Sequence, residues 1–212
     1  MRKIFILLFI VSLISVALST SIQAGTYTFQ PNPADMQDLD HYYYYLWKIT
    51  WSLPMGQFIT GATLFFDDIN DWQIEANDIL YIHLLDDPSP NGTWTQVSSV
   101  APINLWRKWD NQVGGDNFSG QGTEITPPYT DNNGNVPQDV TYTFTSPQIT
   151  TLTNYVSNGY FGFGMDPDCH YYNKGITFTI NTAPVPEPAT MLLLGSGLIG
   201  LAGYGRKKFL RK

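Results

Sequence analysis

At 212 residues the chain is long enough for one ordinary domain with a single core, and 15% of it is aromatic. Of its 11 basic residues only four, Lys48, Arg107, Lys108 and Lys174, stand between Asp35 and Glu187, where all 18 acidic residues lie, so that stretch carries a net charge of −14. This argues against nucleic acid, whose phosphates are bound through Lys and Arg, and the single Cys169 rules out an intramolecular disulfide.

The N-terminus has the three parts of an export signal: Arg2-Lys3, an apolar run from Ile4 to Leu18, and a small polar stretch from Ser19 to Ala24. The apolar run is about 15 residues, short of the ~20 that a spanning helix needs. Residues 1–24 are therefore expected to be a signal helix removed by signal peptidase, leaving Gly25 first. Residues 25–183 form the ectodomain. Tyr43, Tyr45, Trp47, Ile49, Trp51 and Leu53 alternate with polar residues and read as a strand ending at Pro54-Met55-Gly56. Phe58, Thr60, Ala62, Leu64 and Phe66 read as one face of a second strand. Further strands are expected at Ile79–Leu85, through Val140, Tyr142 and Phe144, at Tyr160–Met165 and at Ile176–Ile180. A short helix is expected between them, with Ser146 as cap, Pro147 first, Ile149, Leu152, Tyr155 and Val156 on one face, and Gly159 as stop. The stretch Pro88–Pro137 reads as a long polar loop holding a strand or two, and Asn181–Pro188 as a linker. Many short strands, Gly/Pro/Asn turns and one helix predict a mostly β fold, a β-sandwich or jelly roll. The strands Ile59–Phe66 and Ile79–Leu85 are similar to the early strands of carbohydrate-binding jelly rolls, which implies the same architecture.

Residues 184–212 differ in kind. Pro184-Val185-Pro186-Glu187-Pro188 leads into an apolar, Gly-rich run over 189–204 and a basic tail over 205–212 holding Arg206, Lys207, Lys208, Arg211 and Lys212. Pro186 and Pro188 fix φ and push Val185 and Glu187 into extended geometry, the form a processing cleft reads. The basic cluster favours the cytoplasmic side, so the run is expected to be a short transmembrane helix with the rest of the chain outside. In this order and at this end, the three features resemble the PEP-CTERM domain, the bacterial sorting signal handled by exosortase-type membrane transpeptidases. The resemblance implies that Pro186, Glu187 and Pro188 are the recognition motif. It also implies a transient hold in the inner membrane, then transfer to the cell surface or extracellular matrix of a host that makes exopolysaccharide. A permanent single-pass anchor is the alternative.

Within the ectodomain, Asp166 and Asp168 flank Pro167 at i and i+2, a spacing that can aim two carboxylates the same way and suit Ca²⁺, with Asp67 and Asp68 as possible further ligands. The competing reading is a turn whose carboxylates satisfy N–H groups. Cys169 and His170 are adjacent on extended backbone and point apart, which predicts a buried Cys169 and no shared metal. Asp131–Asn135 lacks the spacing of an EF-hand and reads as a turn. Trp94, Trp106 and Trp109 could form an aromatic platform for sugar rings, with the alternative that they are core. Glu75 and Glu124 are the only glutamates before the tail, and no hydrolase motif is present, so no enzyme activity is expected. The expectation is an exported surface or matrix protein with a structural or adhesive role. A Ca²⁺-assisted carbohydrate-binding module comes second, and an extracellular glycan hydrolase third.

Overall fold

The computed structural model describes residues 23–36, 38–73, 78–110, 114–131, 136–185 and 195–203. The signal run, Glu75, the 132–135 part of the Asn-rich turn, the Pro186-Glu187-Pro188 motif and the basic tail lie outside the described residues. Twelve strands among the described residues form two antiparallel sheets, which upholds the mostly β, two-sheet expectation. The first sheet holds β1 (Gly25–Phe29), β2 (Asp38–Leu39), β4 (Gln57–Asp71), β9 (Gln138–Thr143), β11 (Tyr171–Tyr172) and β12 (Gly175–Pro184). The second runs β6-β7-β3-β10-β5-β8, with β3 (Tyr43–Thr50), β5 (Leu80–Leu85), β6 (Thr95–Gln96), β7 (Leu105–Trp109), β8 (Thr123–Glu124) and β10 (Tyr160–Pro167).

The core lies between the sheets. Ile176, Phe178 and Ile180 of β12 and Ala62, Leu64 and Phe66 of β4 are buried in one cluster with Tyr45, Trp47 and Ile49 of β3 and Phe161, Phe163 and Met165 of β10. Phe178 is its centre, with ring centroids 4.9 Å from Phe163, 5.7 Å from Phe161 and 5.3 Å from Phe144. Each fully buried side chain of this size contributes about 1.5–3 kcal/mol relative to exposure.

Strand β4 departs from simple alternation twice. Its register with β12 slips between Asn181 and Thr182, which face Gly61 and Ile59, so Thr60 is the extra residue. Ile59 is therefore buried and Phe58 is 41% exposed, the reverse of the expected face. A second slip against β9 falls between Phe66 and Ile69, and Asp68 there takes φ 46°. Each bulge inverts the period-2 pattern downstream, which is why Phe66, Ile69 and Asp71 all point inward. Asp67 and Asp68 accordingly sit inside the strand. Asp68 pairs with Lys174 and donates its backbone N–H to Asp139 Oδ1, and both Asp67 and Asp68 lie in the sheet other than that of Asp166.

The helix α1 (Ser146–Tyr155) forms where expected, but its N-cap is Thr145, whose N–H donates to the Gln148 side chain at 2.8 Å. A 3₁₀ turn over Val156–Asn158 ends at Gly159, φ 93°, a left-handed stop that glycine accepts without strain. The expected linker at Asn181 is corrected: β12 runs through Pro184 because the first residues of β4 extend to pair with it, and Val185 N–H still bonds Gly56 O. Residues 195–203 are helical. No described helix is long and apolar enough to cross a membrane, so the C-terminal anchor rests on the sequence pattern.

Candidate functional site

The outer face of the second sheet carries the densest functional chemistry. Tyr44 and Leu46 of β3 lie beside Lys108 and Trp106 of β7, their register partners. Gly162 and Gly164 of β10 leave that face bare on its other side. A Cβ on Gly164 would come within 2.7 Å of the Phe118 ring, and one on Gly162 within 2.8 Å of Pro88 Cβ. The two glycines thus let the loops around Pro88 and Phe118 lie directly on the sheet. Phe118 and Trp94 both meet Tyr44 edge-on, at 5.6 Å and 5.1 Å.

Two open clefts result. One, of about 530 Å³, is lined by Trp94, Trp106, Thr95, Gln96, Ser99, Pro90 and Gly92. The other, about 390 Å³, shares Trp94 and is walled by Tyr44, Lys108, Asp86, Asp87, Asn117 and Gln121. Of the three expected platform tryptophans, the fold brings Trp94 and Trp106 together. Trp109 lies apart. It stands with Tyr43 on the opposite face of β7 and β3, 56% exposed, stacked on Tyr42 at 5.5 Å and 9°. Trp109 is three positions on from Trp106, an odd offset, so strand geometry sends them to opposite faces.

Asp166 and Asp168 anchor the loop that walls the second cleft. Asp166 Oδ2 accepts the Asn117 N–H at 2.6 Å and Asp168 Oδ1 accepts the Gly115 N–H at 2.9 Å. The two carboxylates do aim the same way, as their spacing implied, and they meet backbone N–H groups there. His83 completes the clamp, its Nε2 3.0 Å from Asp116 Oδ2 and its Nδ1 3.0 Å from Gln121 O. Asp166 is fully buried and its Oδ1 has no hydrogen-bond partner. Burial pushes its carboxyl up to about 7, with Asp110 and Asp116 adding repulsion and the Asn117 bonds opposing. Asp168 is raised for the same leading reason.

Cys169 and His170 point apart. Cys169 is buried beside Asp71 and Asp78, and burial followed by the Asp71 carboxylate pushes its thiol up to about 12. His170 turns outward to Asp38 and Asp40, where His41 joins it, 4.7 Å between ring centroids. Sequence spacing gave no sign of this meeting, since the two histidines come from different turns far apart in the chain.

The ectodomain's last described residue is Val185, whose N–H donates to Gly56 O at 2.8 Å. Residues 184–207 match the family model of the PEP-CTERM protein-sorting motif. The chain carries a PEP-CTERM sorting motif. It implies an exported protein whose membrane-held sorting signal is processed by an exosortase-type partner. No curated protein and no solved structure matches the chain.

Proposed function

We propose that the sandwich is a non-catalytic surface module of this exosortase-sorted protein, with a structural and adhesive role exercised by holding neutral polysaccharide in the cleft between Trp94 and Trp106. The observation that carries the reading is that cleft. Two half-buried indoles offer apolar faces, and Thr95, Gln96 and Ser99 beside them offer hydroxyl and amide groups. That pairing matches a sugar ring, which has an apolar face and a rim of hydroxyls. Its volume of about 530 Å³ suits a small-ligand site, and the polar lining hydrogen-bonds hydroxyls without acid–base chemistry near neutral pH. The excess of acidic residues favours neutral over acidic glycans through simple repulsion.

Affinity electrophoresis of the full-length protein in mild detergent, through gels containing neutral or acidic polysaccharides, tests this. Retardation by a neutral polysaccharide should be lost in Trp94→Ala and in Trp106→Ala and kept in Trp109→Ala. Equal retardation of all three variants, or none of the wild type, would remove the cleft as the adhesive surface.

A further inference from the structure

We propose that Asp40, His41 and His170 form a binding site for a borderline divalent transition metal such as Zn²⁺, with Asp38 as its positioning carboxylate. The chain has three histidines, and two of them meet here. A ligand atom from each of Asp40, His41 and His170 lies within 4.8 Å of the others, and His170 Nε2 is 4.0 Å from Asp40 Oδ1. In a tetrahedral zinc site, bonds of about 2.0–2.1 Å place ligand atoms about 3.3 Å apart, so closure needs side-chain shifts of about 1 Å or less. All three residues are partly exposed, which allows such a shift and leaves a fourth position to water or an incoming ligand.

The surroundings are built for the imidazoles. Asp38 holds His170 Nδ1 with both carboxylate oxygens, at 2.8 and 2.9 Å. A carboxylate on one ring nitrogen fixes the proton there and turns the lone pair of the other outward, the usual outer partner of a metal-bound histidine. That free nitrogen, Nε2, is the one facing Asp40. Asp40 is itself fixed: its Oδ1 accepts the Tyr42 N–H at 2.9 Å, and its own N–H donates to the Tyr45 hydroxyl at 3.0 Å. Tyr42 packs on the His41 ring at 4.2 Å and Trp72 on the His170 ring at 5.9 Å. Backbone pairing sets the register, because Asp38 in β2 lies opposite Tyr172 in β11, two residues past His170. Two nitrogen donors and one carboxylate select Zn²⁺, Ni²⁺ or Cu²⁺ over Ca²⁺ and Mg²⁺, which take oxygen.

The test is calorimetric titration of Zn²⁺ into the full-length protein, purified in detergent without a histidine tag. One ion per chain is expected, lost in His41→Ala and in His170→Ala, and weakened about 10–100-fold in Asp38→Asn. Melting of each variant in chelator checks folding. His41→Ala changes only a surface turn, so it decides the matter if His170→Ala fails to fold. Absence of zinc binding by the wild type, or undiminished binding in a folded His41→Ala, would overturn the site. Ca²⁺ titrated in place of Zn²⁺ should give no heat abolished by either histidine change; such a heat would overturn the metal class.

Discussion

Asp166→Asn probes what sits on the buried carboxylate that clamps the Asn117 loop. Burial raises the Asp166 carboxyl to about 7 from its ordinary 3.8, a difference of about 3 units, and at about 1.36 kcal/mol per unit the ceiling on its pH-linked contribution is about 4 kcal/mol. The folded state holds a proton that the unfolded chain releases above about pH 4. The contribution is thus fully present below the ordinary carboxyl range and is lost as pH rises from about 4 to about 7. Asp168 and Asp71, the latter at about 6, are raised by burial too and push in the same direction. Local relaxation and water entry bring the Asp166 share down to about 2 kcal/mol. Asparagine cannot titrate, yet its carbonyl oxygen still accepts the Asn117 N–H that Asp166 Oδ2 takes now. Chemical denaturation of the full-length protein between pH 5 and 8, with chelator present, should show wild-type stability falling with pH. The variant should fall about 2 kcal/mol less and be the more stable of the two at pH 8. Parallel curves would refute the argument. A Ca²⁺-dependent gain at pH 8 in wild type that the variant lacks would put a cation in place of the proton and restore the calcium reading of Asp166 and Asp168.

Other outcomes follow from single contacts. Gly162→Ala should destabilise by about 1–3 kcal/mol in denaturant melts, because the new methyl meets Trp47 O and Pro88 with no room to turn aside. Phe178→Ala should cost about 3–5 kcal/mol, since it removes the ring on which Phe161, Phe163 and Phe144 converge. His83→Ala frees the loop at Asp116 and Gln121, and limited proteolysis should then cut within residues 114–122 while wild type resists. Glu187→Ala should leave the protein unprocessed and membrane-held, as immunoblots of membrane and extracellular fractions would show; normal processing would contradict the sorting assignment.

The sequence was most legible where a pattern is short and self-contained. The sorting motif needs no partner from the rest of the chain, and residues 184–207 match it. Alternation alone placed the buried faces of β3 and β12, because each keeps one period across the sheet, whereas β10 is buried on both faces. It failed in β4, where bulges at Thr60 and Asp68 inverted the face twice, and a bulge is set by the partner strand's register and leaves no local signature. For the candidate sites, too, placement depends on the fold. Trp94, Trp106 and Trp109 are close in sequence, yet strand parity separates Trp109, while His41 and His170 are distant in sequence and the fold joins them.

The two ends of the ectodomain carry this point into function. Gly25, the first residue after the expected signal cleavage, pairs with Thr182, and its N–H donates to the Thr182 hydroxyl at 3.2 Å. Val185, three residues on from Thr182, is held to Gly56, and the PEP-CTERM match starts at residue 184. Gly25 and Val185 therefore lie at the same end of the first sheet, and the last described contact of β12's end falls one residue before Pro186. In sequence, Pro186-Glu187-Pro188 follow directly on Val185, the residue that is held to Gly56. If this closeness in sequence limits access of the processing enzyme, a flexible insert after Val185 should speed processing in a pulse-chase, and an unchanged rate would refute it.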